Sequence, residues 1–456
     1  MPHDVIVIGS GQAGVPLSTR LAAAGKRVLL VERRDLGGTC VNTGCTPSKT
    51  MIASARAAHV ARGAARLGVR TGPVSVDLSA VVARKDAVVA QWRQGVRARL
   101  EAAGERLELR LGHARFTGPR TVEVDGQRFT AETVVVNAGA RPAVPRLHGL
   151  ESVPWLDNRC LMELRQPPQH LLVLGGGYIG CELGQAFRRF GSEVTIVDHN
   201  PRLLSRLDRD LSAALEAAFR DEGIRLELSA EVESVAGGEG RVALQLGGGR
   251  EIRGSHLVVA AGRRPNTDDL GCPEAGIELD RRGYIRVDDR YQTSAPGVYA
   301  VGDVTGGPQF THSSWDDHRL LYDLFAGRGG RGRSSRIVPW AVFTDPQVAG
   351  VGMGEREARE RKVPFEVATM PFGAVARALE IDEPAGTMKV LLDPGSERLL
   401  GAFLVGAEAG ELIHVFAALM RAGATARAVV DGEFVHPTFS EGLQSLVMRL
   451  PRYALQ

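Results

Sequence analysis

Two stretches of this chain follow one pattern of apolar and polar positions. From Asp4 to Gly9 the sequence DVIVIG is apolar after its first residue and breaks on Gly9-Ser10-Gly11-Gln12-Ala13-Gly14. An apolar run that short, closed by glycines, reads as a strand buried on both faces. A helix is expected next, to about Ala24, and then a second apolar strand, Val28–Val31, that ends on the acid Glu32. The pattern returns at His170–Leu174. Gly175-Gly176-Gly177-Tyr178-Ile179-Gly180 follows, then a helix to about Phe190 and a strand Val194–Val197 that ends on Asp198. A lone G-x-G-x-x-G is weak evidence. Here each copy carries its strand, its helix and an acid about 20 residues on, the full dinucleotide-binding pattern. The glycines let backbone N–H groups approach a pyrophosphate at a helix N-terminus, and the acid accepts hydrogen bonds from a ribose diol. Chance glycine turns would have to reproduce that context twice. Two copies imply two different dinucleotides, a flavin and a nicotinamide.

Between the copies lies a long helical stretch, about Asp77 to Ala103. Its Leu78, Val81, Val82, Val88, Val89, Trp92, Val96 and Leu100 form one apolar stripe, which packing against a core explains. Short strands are expected at Arg106–Leu111, Thr121–Val124 and Thr133–Val136, and, beyond the second copy, at Ile224–Leu228, Glu231–Val235, Arg241–Leu246 and Leu257–Ala260. Gly297 to Asp303 (GVYAVGD) reads as a strand running onto an acid. Gly327 to Arg336 (GRGGRGRSSR) reads as a linker marking a boundary rather than as a nucleic-acid-binding tail. Beyond it, strands at Gly386–Leu392 and Leu399–Gly406 mix with helices at Glu408–Ala422 and Phe439–Arg449, as in an α+β domain.

The 456 residues give room for about three domains at ~150 residues each. With 44% apolar and 24% charged residues and a net charge of +3, nothing points to a nucleic-acid or membrane partner. No run approaches the ~20 apolar residues of a membrane-spanning helix. The start has no basic, cleavable leader, so a cytoplasmic enzyme is expected. Lysine is scarce: Lys26, Lys49, Lys85, Lys362 and Lys389 are the five among 56 basic residues. Of the five cysteines, Cys160, Cys181 and Cys272 stand singly and read as structural, while Cys40 and Cys45 share GGTCVNTGCTPSK. In a reducing compartment such a pair reads as catalytic. Bridged cysteines need Cα atoms within ~7 Å, and five residues of regular helix rise ~7.5 Å. The helix beginning here must therefore be irregular in its first turn, which Gly44 and Pro47 allow. Cys45 would then sit at a helix N-terminus, whose partial positive charge favours a thiolate. Thiol exchange also needs a base near neutral pH. His436 in FVHPTFSE suits that task, with Glu441 to orient its ring. Taken alone, His436 equally fits an ordinary histidine at a helix start.

With these motifs in place, the chain resembles the class I pyridine nucleotide-disulfide oxidoreductases over essentially its whole length. The family includes dihydrolipoamide dehydrogenase, glutathione reductase and mercuric reductase. The resemblance rests on GGTCVNTGCTPSK, both glycine fingerprints, AGRRPNT (Ala261–Thr267), VYAVGDVTGG (Val298–Gly307), FTDPQVAGVG (Phe343–Gly352) and HPTFSEG (His436–Gly442), in the family's order. It implies an α/β fold with two Rossmann-like dinucleotide-binding domains, for FAD and NAD, plus a C-terminal α+β dimerisation domain. The implied limits are 1–150 and 263–333 for FAD, 151–262 for NAD and 334–456 for the interface of a homodimer. By the same resemblance Cys45 faces the flavin, Cys40 is the interchange thiol, His436 is the base, reaching the other subunit's cysteines, and Glu441 holds it. Lys49 lies near the flavin and pairs with Glu182, and Tyr178 shields the flavin until nicotinamide displaces it. Gly9, Gly11, Gly14, Glu32, Arg33, Gly38, Thr39, Lys49, Ala138, Gly139 and Asp303 are the implied FAD residues. Gly175, Gly177, Tyr178, Ile179, Gly180, Asp198 and Gly262 are those for the nicotinamide nucleotide. No metal site is expected. Asp198 favours NADH over NADPH by repelling a 2′-phosphate; the single Arg202 nearby leaves NADPH open.

The substrate is less legible. Gly302–Leu321 (GDVTGGPQFTHSSWDDHRLL) and Tyr178–Thr195 (YIGCELGQAFRRFGSEVT) look like a mercuric-reductase-like branch that also holds flavoproteins of oxidant and metal stress. The closing PRYALQ lacks the cysteine pair of mercuric reductases, and no N-terminal C-x-x-C module is present. A small disulfide, metal ion or oxidant is the expected acceptor. Dihydrolipoamide dehydrogenase is the alternative, then a glutathione-reductase-like enzyme, then an FAD-bound redox sensor or complex subunit without turnover.

Overall fold

The computed structural model describes residues 3–454; the last two residues of the PRYALQ ending lie outside them. The chain divides into two compact units. The first comprises Met1–Thr50, Ala83–Ala143 and Gly262–Arg336, the second Met51–Val82, Val144–Ala261 and Ile337–Gln456.

The first unit is built on a five-stranded parallel sheet. Its order is Val298–Ala300, Thr133–Val136, β1 (Val5–Ile8), β2 (Val28–Glu32) and β3 (Leu107–Leu111). Side chains alternate across a strand, and here both faces are covered. Val5, Val7, Val28 and Leu30 point to the side holding Leu17 and Leu21 of helix α1 (Gly14–Ala23). Ile6, Ile8, Leu29 and Val31 point to the other side, against Phe116, Val122 and Val124. The latter three belong to a small antiparallel sheet of Ala114–Gly118, Thr121–Val124 and Gln127–Thr130. Coverage on both faces is why these strands read as unbroken apolar runs.

The strand expected from Gly297 to Asp303 is shorter, Val298–Ala300. Gly302, at φ +75°, turns the chain out of extended geometry into a short 3₁₀ turn, Gly302–Thr305, that contains Asp303. A 15-residue helix, Thr311–Phe325, then follows that hydrophobic patterning had not signalled. Its buried face includes Ser313, Ser314, Asp317 and His318 beside Leu320 and Leu321, so its amphipathic stripe is largely polar. Asp317 is the anchor. It accepts hydrogen bonds from Tyr291 Oη (2.8 Å), Gly302 N (2.7 Å) and Arg336 Nη1 (2.5 Å). The Gly/Arg run at 327–336 is therefore not a free linker in its second half. Arg331 pairs with Asp316, Ser334 N donates to Asp289, and Arg336 is buried on Asp317.

The second unit holds three sheets, one of them a small antiparallel sheet of Val232–Gly238, Arg241–Leu246 and Arg250–Gly254. A parallel one runs in the order Arg225–Leu228, Glu193–Asp198, His170–Leu174, His256–Val259, Trp155–Leu156. Helix Tyr178–Phe190 packs on it through Leu183, Ala186, Phe187 and Phe190. An antiparallel sheet runs Trp340–Val342, Gln347–Gly352, Leu399–Gly406, Thr387–Leu392, Glu366–Pro371, with helix Ala409–Ala422 laid across it. The helix expected over Phe439–Arg449 is the shorter Glu441–Val447.

The long helix is observed at Leu78–Glu101, but two positions depart from the expected stripe. Trp92 is 56% exposed, within a stretch, 91–95, in which every residue faces solvent. Lys85 is 3% exposed and occupies the buried place between Val82 and Val89, with its ammonium 2.8 Å from Asp86. A lysine stem packs like an aliphatic side chain while its head finds a carboxylate.

His318 generates a testable consequence. It is 2% exposed, its Nδ1 has no hydrogen-bond partner, and Trp315 packs edge-on at 4.6 Å. Burial, then the Arg20 charge, pushes its pKa down to about 4. The unfolded histidine, with its usual pKa near 6.5, takes up a proton the folded one refuses. Stability should be full above about pH 6.5 and decline as pH falls towards about 4. Urea unfolding followed across that window should show the decline, and His318→Phe should flatten it. A slope unchanged by the substitution would refute the assignment.

Candidate active site

The cysteine pair sits where one helix stops and the next begins. Helix α2 (Gly38–Asn42) carries Cys40, and the 19-residue helix α3 begins at Cys45 and runs to Gly63. Thr43 and Gly44 separate them. Thr43 N closes on Thr39 O at 2.9 Å, and a Cβ on Gly44 would stand 2.9 Å from that same oxygen. This break removes the helical rise that would otherwise keep five-apart sulfurs apart. Both cysteines carry free thiols, and the two thiols hydrogen-bond to each other. Cys40 is half-buried and Cys45 exposed. The Cys40 pKa is raised by its bond to Cys45, then by burial and by the Cys45 charge. Thr311 and Lys49 pull the other way. Cys45 stands at the N-terminus of α3, whose partial positive charge favours a thiolate there.

At the tip of β1 the chain turns so tightly that side chains are excluded. Gly9 has φ +102°, and a Cβ there would meet Asn137 O at 2.3 Å. A Cβ on Gly14 would meet Gly9 O at 1.9 Å, one on Gly11 the Asn137 Oδ1 at 2.8 Å, and one on Gly38 the Gly11 Cα at 2.9 Å. The N-terminus of α1 turns its partial positive charge toward the tip of β1, while Gly14 N is held by Asn137 Oδ1 and Val15 N by Gly11 O. Glu32 accepts from Ser10 N (2.9 Å), Ser10 Oγ (2.7 Å) and Arg34 N (2.8 Å), which sets its carboxylate beside the turn. Arg263 and Asp303 face each other at 3.9 Å, with the Arg263 Nε buried and unpartnered. Burial raises the Asp303 pKa. This cradle, the positive helix start and the buried Arg263 Nε without a hydrogen bond fit a long, phosphate-bearing, hydroxyl-rich ligand such as FAD. Of the other implied FAD residues, Ala138 and Gly139 accept hydrogen bonds from Asn266 Nδ2 and N, and Thr39 frames the helix break. Arg33 makes a surface ion pair with Asp269 at 3.0 Å.

Asn137 is the residue that sequence reasoning missed. It is 7% exposed, its N donates to Ile8 O, its Oδ1 accepts from Gly14 N (3.0 Å) and its Nδ2 donates to Val301 O (3.1 Å). One amide side chain thus ties the glycine turn to the segment that enters Gly302–Asp303. In the sequence it was one polar residue after the apolar strand Thr133–Val136, a break that carried the signal.

In the second unit the turn repeats. Gly175 has φ +115°, and a Cβ there would meet Ala260 O at 2.6 Å; one on Gly180 would meet Gly175 O at 1.9 Å. Gly177 is exposed with open space above it, Ile179 is half-buried, and no side chain caps the helix that starts at Tyr178. Tyr178 stacks on Trp340 with ring centroids 5.8 Å apart. Asp198 accepts from Gly176 N (2.6 Å), Asn200 N (2.8 Å) and Asn200 Nδ2 (2.9 Å). Glu182 is buried in this unit and accepts from Phe343 N at 2.9 Å. Cys181 is fully buried and its pKa is raised by that burial, so it is an inert thiol. Gly262 falls in the first unit, where its carbonyl accepts from Ala143 N.

His436 and Glu441 are in contact. His436 Nδ1 lies 2.9 Å from Glu441 Oε2 and 3.2 Å from Oε1, and Thr438 N adds a bond to the carboxylate at 3.4 Å. The imidazole is 70% exposed, so its Nε2 edge is free to exchange a proton with a group outside.

Among the described residues no cluster of three or more metal-ligating side chains occurs, and no helix is long and apolar enough to cross a membrane. What the geometry does provide is two steric glycine turns, each at a helix start, and a close pair of thiols at the start of α3. The chain belongs to the pyridine nucleotide-disulphide oxidoreductases: residues 3–317 match the family model of that description, and 338–447 match its dimerisation domain. It is 37% identical to a dihydrolipoyl dehydrogenase of Thermus scotoductus, over 99% of this chain and 98% of that protein. It is 34% identical to a mercuric reductase of Lysinibacillus sphaericus, over 97% of this chain and 81% of that protein. A solved structure, the Cu(II) complex of the HOCl-induced flavoprotein disulfide reductase RclA from Escherichia coli, matches with a TM-score of 0.90. That match is at 34% identity, covering 98% of this chain and 99% of that one. The protein is thus an enzyme of a flavoprotein family that uses FAD and NAD(P)H, and its dimerisation domain supports a homodimer.

The Asn137 tie gives a test at this site. Asn137→Ala leaves Gly14 N and Val301 O without their side-chain partners, at a cost of about 1–3 kcal/mol for each buried group. Flavin-fluorescence titration of the apoprotein should show FAD affinity weakened about tenfold or more, with a lower melting temperature. Unchanged affinity would show that the tie does not organise the cradle.

Proposed function

We propose that this enzyme carries electrons from NADH to the Cys40–Cys45 disulfide and on to a soft metal ion, an oxidant or a small disulfide. The observation that carries this reading is the mutually hydrogen-bonded thiol pair at the start of α3. The FAD domain is 1–150 with 263–333, the NAD domain 151–262 and the interface domain 334–456. Bound FAD supplies the two-electron relay between nicotinamide and sulfur. Each cycle takes one NADH and one proton and opens the disulfide to two thiols. Cys45 lies on the flavin side and Cys40 on the substrate side. Cys40 gives its proton to His436 of the partner subunit, held by Glu441 of the partner subunit, and attacks the substrate sulfur as thiolate. The displaced thiolate takes that proton back, and the proton of Cys45 goes to the second thiol, released as the disulfide re-forms. Cys45 attacks Cys40 in turn, which releases the second thiol and restores the disulfide. With a metal ion, the same two electrons pass to the metal as the disulfide re-forms. Lys49 and Glu182 would serve the flavin when it is bound, and Tyr178 would shield it until nicotinamide enters.

Two thiolates are soft ligands suited to soft cations. A soft metal ion taken up here is proposed as substrate. The relatives described as a mercuric reductase and as a Cu(II)-bound, HOCl-induced reductase support this branch. Dihydrolipoamide dehydrogenase is the second reading, favoured by the Thermus relative. Asp198, already set beside the second glycine turn, favours NADH, and the cytoplasm is the proposed compartment.

Anaerobic NADH titration should give two titratable thiols per flavin and a long-wavelength absorption band, and Cys45→Ser should abolish both. NADH should exceed NADPH in kcat/KM by about tenfold or more, since like-charge juxtaposition costs several kcal/mol. A turnover panel of mercuric ion, cupric ion, quinone, lipoamide and oxidised glutathione decides the acceptor. Activity confined to lipoamide would replace the proposed branch with the second reading, and bleached flavin without thiols would overturn the electron route.

A further inference from the structure

We infer that Thr311 is a positioning residue for the thiol pair: its hydroxyl donates to whichever of the two sulfurs carries the negative charge, and so governs how readily the pair ionises. The inference rests on the proposed electron route through Cys40 and Cys45. Thr311 Oγ1 lies 3.3 Å from Cys45 Sγ and also hydrogen-bonds Cys40, where it opposes the effects that hold the proton on that sulfur. A hydroxyl has one proton and a thiolate can only accept. Once either sulfur is ionised, the direction of the hydrogen bond is therefore settled.

Thr311 is also the first residue of its helix. The 15-residue Thr311–Phe325 begins at Thr311 with no side-chain cap at Phe310, and the 19-residue α3 begins at Cys45. Two helix N-termini, each with a partial positive charge, thus start at the two residues of one hydrogen bond. The first turn of the second helix is held in place from behind. Arg336 Nη1 donates to Ser313 O at 3.2 Å, and Asp317 is fixed by Tyr291, Gly302 N and Arg336. The rings of Phe310 and His312, on either side of Thr311, stack at 5.3 Å. The titratable and charged groups acting on the pair in this unit are Cys40 on α2 with Cys45 and Lys49 on α3. The Thr311 helix adds His312 next to the hydroxyl, and the proposed assembly adds His436 of the partner subunit. Two electrons and two protons open the disulfide to two thiols. Loss of one of those protons leaves one thiolate, which Thr311 binds without giving up its own.

The test uses the FAD-bound enzyme, chemically reduced under anaerobic conditions, with Thr311→Val, which keeps the shape and removes the hydroxyl, and Thr311→Ser, which keeps the hydroxyl. Iodoacetamide alkylation of the Cys40 and Cys45 peptides is followed by mass spectrometry across pH. Losing a hydrogen bond to a charged group should slow thiolate-dependent alkylation at neutral pH about tenfold and move its midpoint up by about one pH unit. Thr311→Ser should stay close to the wild type. Should valine not be accommodated, Thr311→Ala removes the same hydroxyl and should shift the profile in the same direction, with flavin content and melting temperature as the folding control. Alkylation profiles of Thr311→Val and Thr311→Ala that match the wild type would overturn the inference, as would a Thr311→Ser profile as displaced as that of valine. Because the protein is reduced chemically, these outcomes stand apart from the NADH titration, in which the electron route itself succeeds or fails.

Discussion

Both dinucleotide units depend on one steric constraint: a strand tip and a helix start packed so closely that no side chain fits between them. In each, a Cβ on the third glycine would stand 1.9 Å from the carbonyl oxygen of the first, Gly14 against Gly9 and Gly180 against Gly175. That contact fixes where the helix begins relative to the sheet and aims its partial positive end beyond the strand's end. The acids Glu32 and Asp198 are then drawn to the same place by backbone donors of the turn, Ser10 N and Gly176 N. A single close approach thus sets a helix start and an acid side by side in each unit.

The chemistry is made by interruption rather than by regularity. Had α2 and α3 been one helix, Cys40 and Cys45 would lie on different turns; Thr43 and Gly44 break it and bring the thiols together. In the C-terminal part of the chain, the Thr438–Glu441 corner places a carboxylate on Nδ1 of an otherwise exposed imidazole. Both arrangements put a proton-exchanging atom at an element's edge, where solvent and a partner can reach it.

Much of this was legible because it is local. The apolar runs at Val5–Ile8 and His170–Leu174, their glycines and their acids each lie within a few tens of residues, and steric necessity gave them a distinctive spelling. What escaped was non-local or polar. Asn137 acts through three segments distant in sequence, so its meaning appears only when they meet. Helix Thr311–Phe325 buries Ser, Asp and His, and an apolar periodicity has nothing to register there. Of the antiparallel strands, Trp340–Val342 was hidden by its shortness, Gln347–Gly352 by its glycines and Glu366–Pro371 by its mixed, half-buried composition. Lys85 and Trp92 reversed the usual order, the cation inside and the indole outside, because the local helix face decides burial and the residue type only biases it.

The glycines of the second turn are not equivalent. Gly175 and Gly180 have backbone oxygens where a side chain would go, whereas Gly177, in ordinary backbone geometry, has open space. The first two are demanded by the polypeptide itself and the middle one only by whatever lies above it. A lineage that kept the architecture but ceased to use nicotinamide would hold the outer pair and let Gly177 drift. The letter at that single position therefore serves as a marker of retained nucleotide use in descendants of this scaffold.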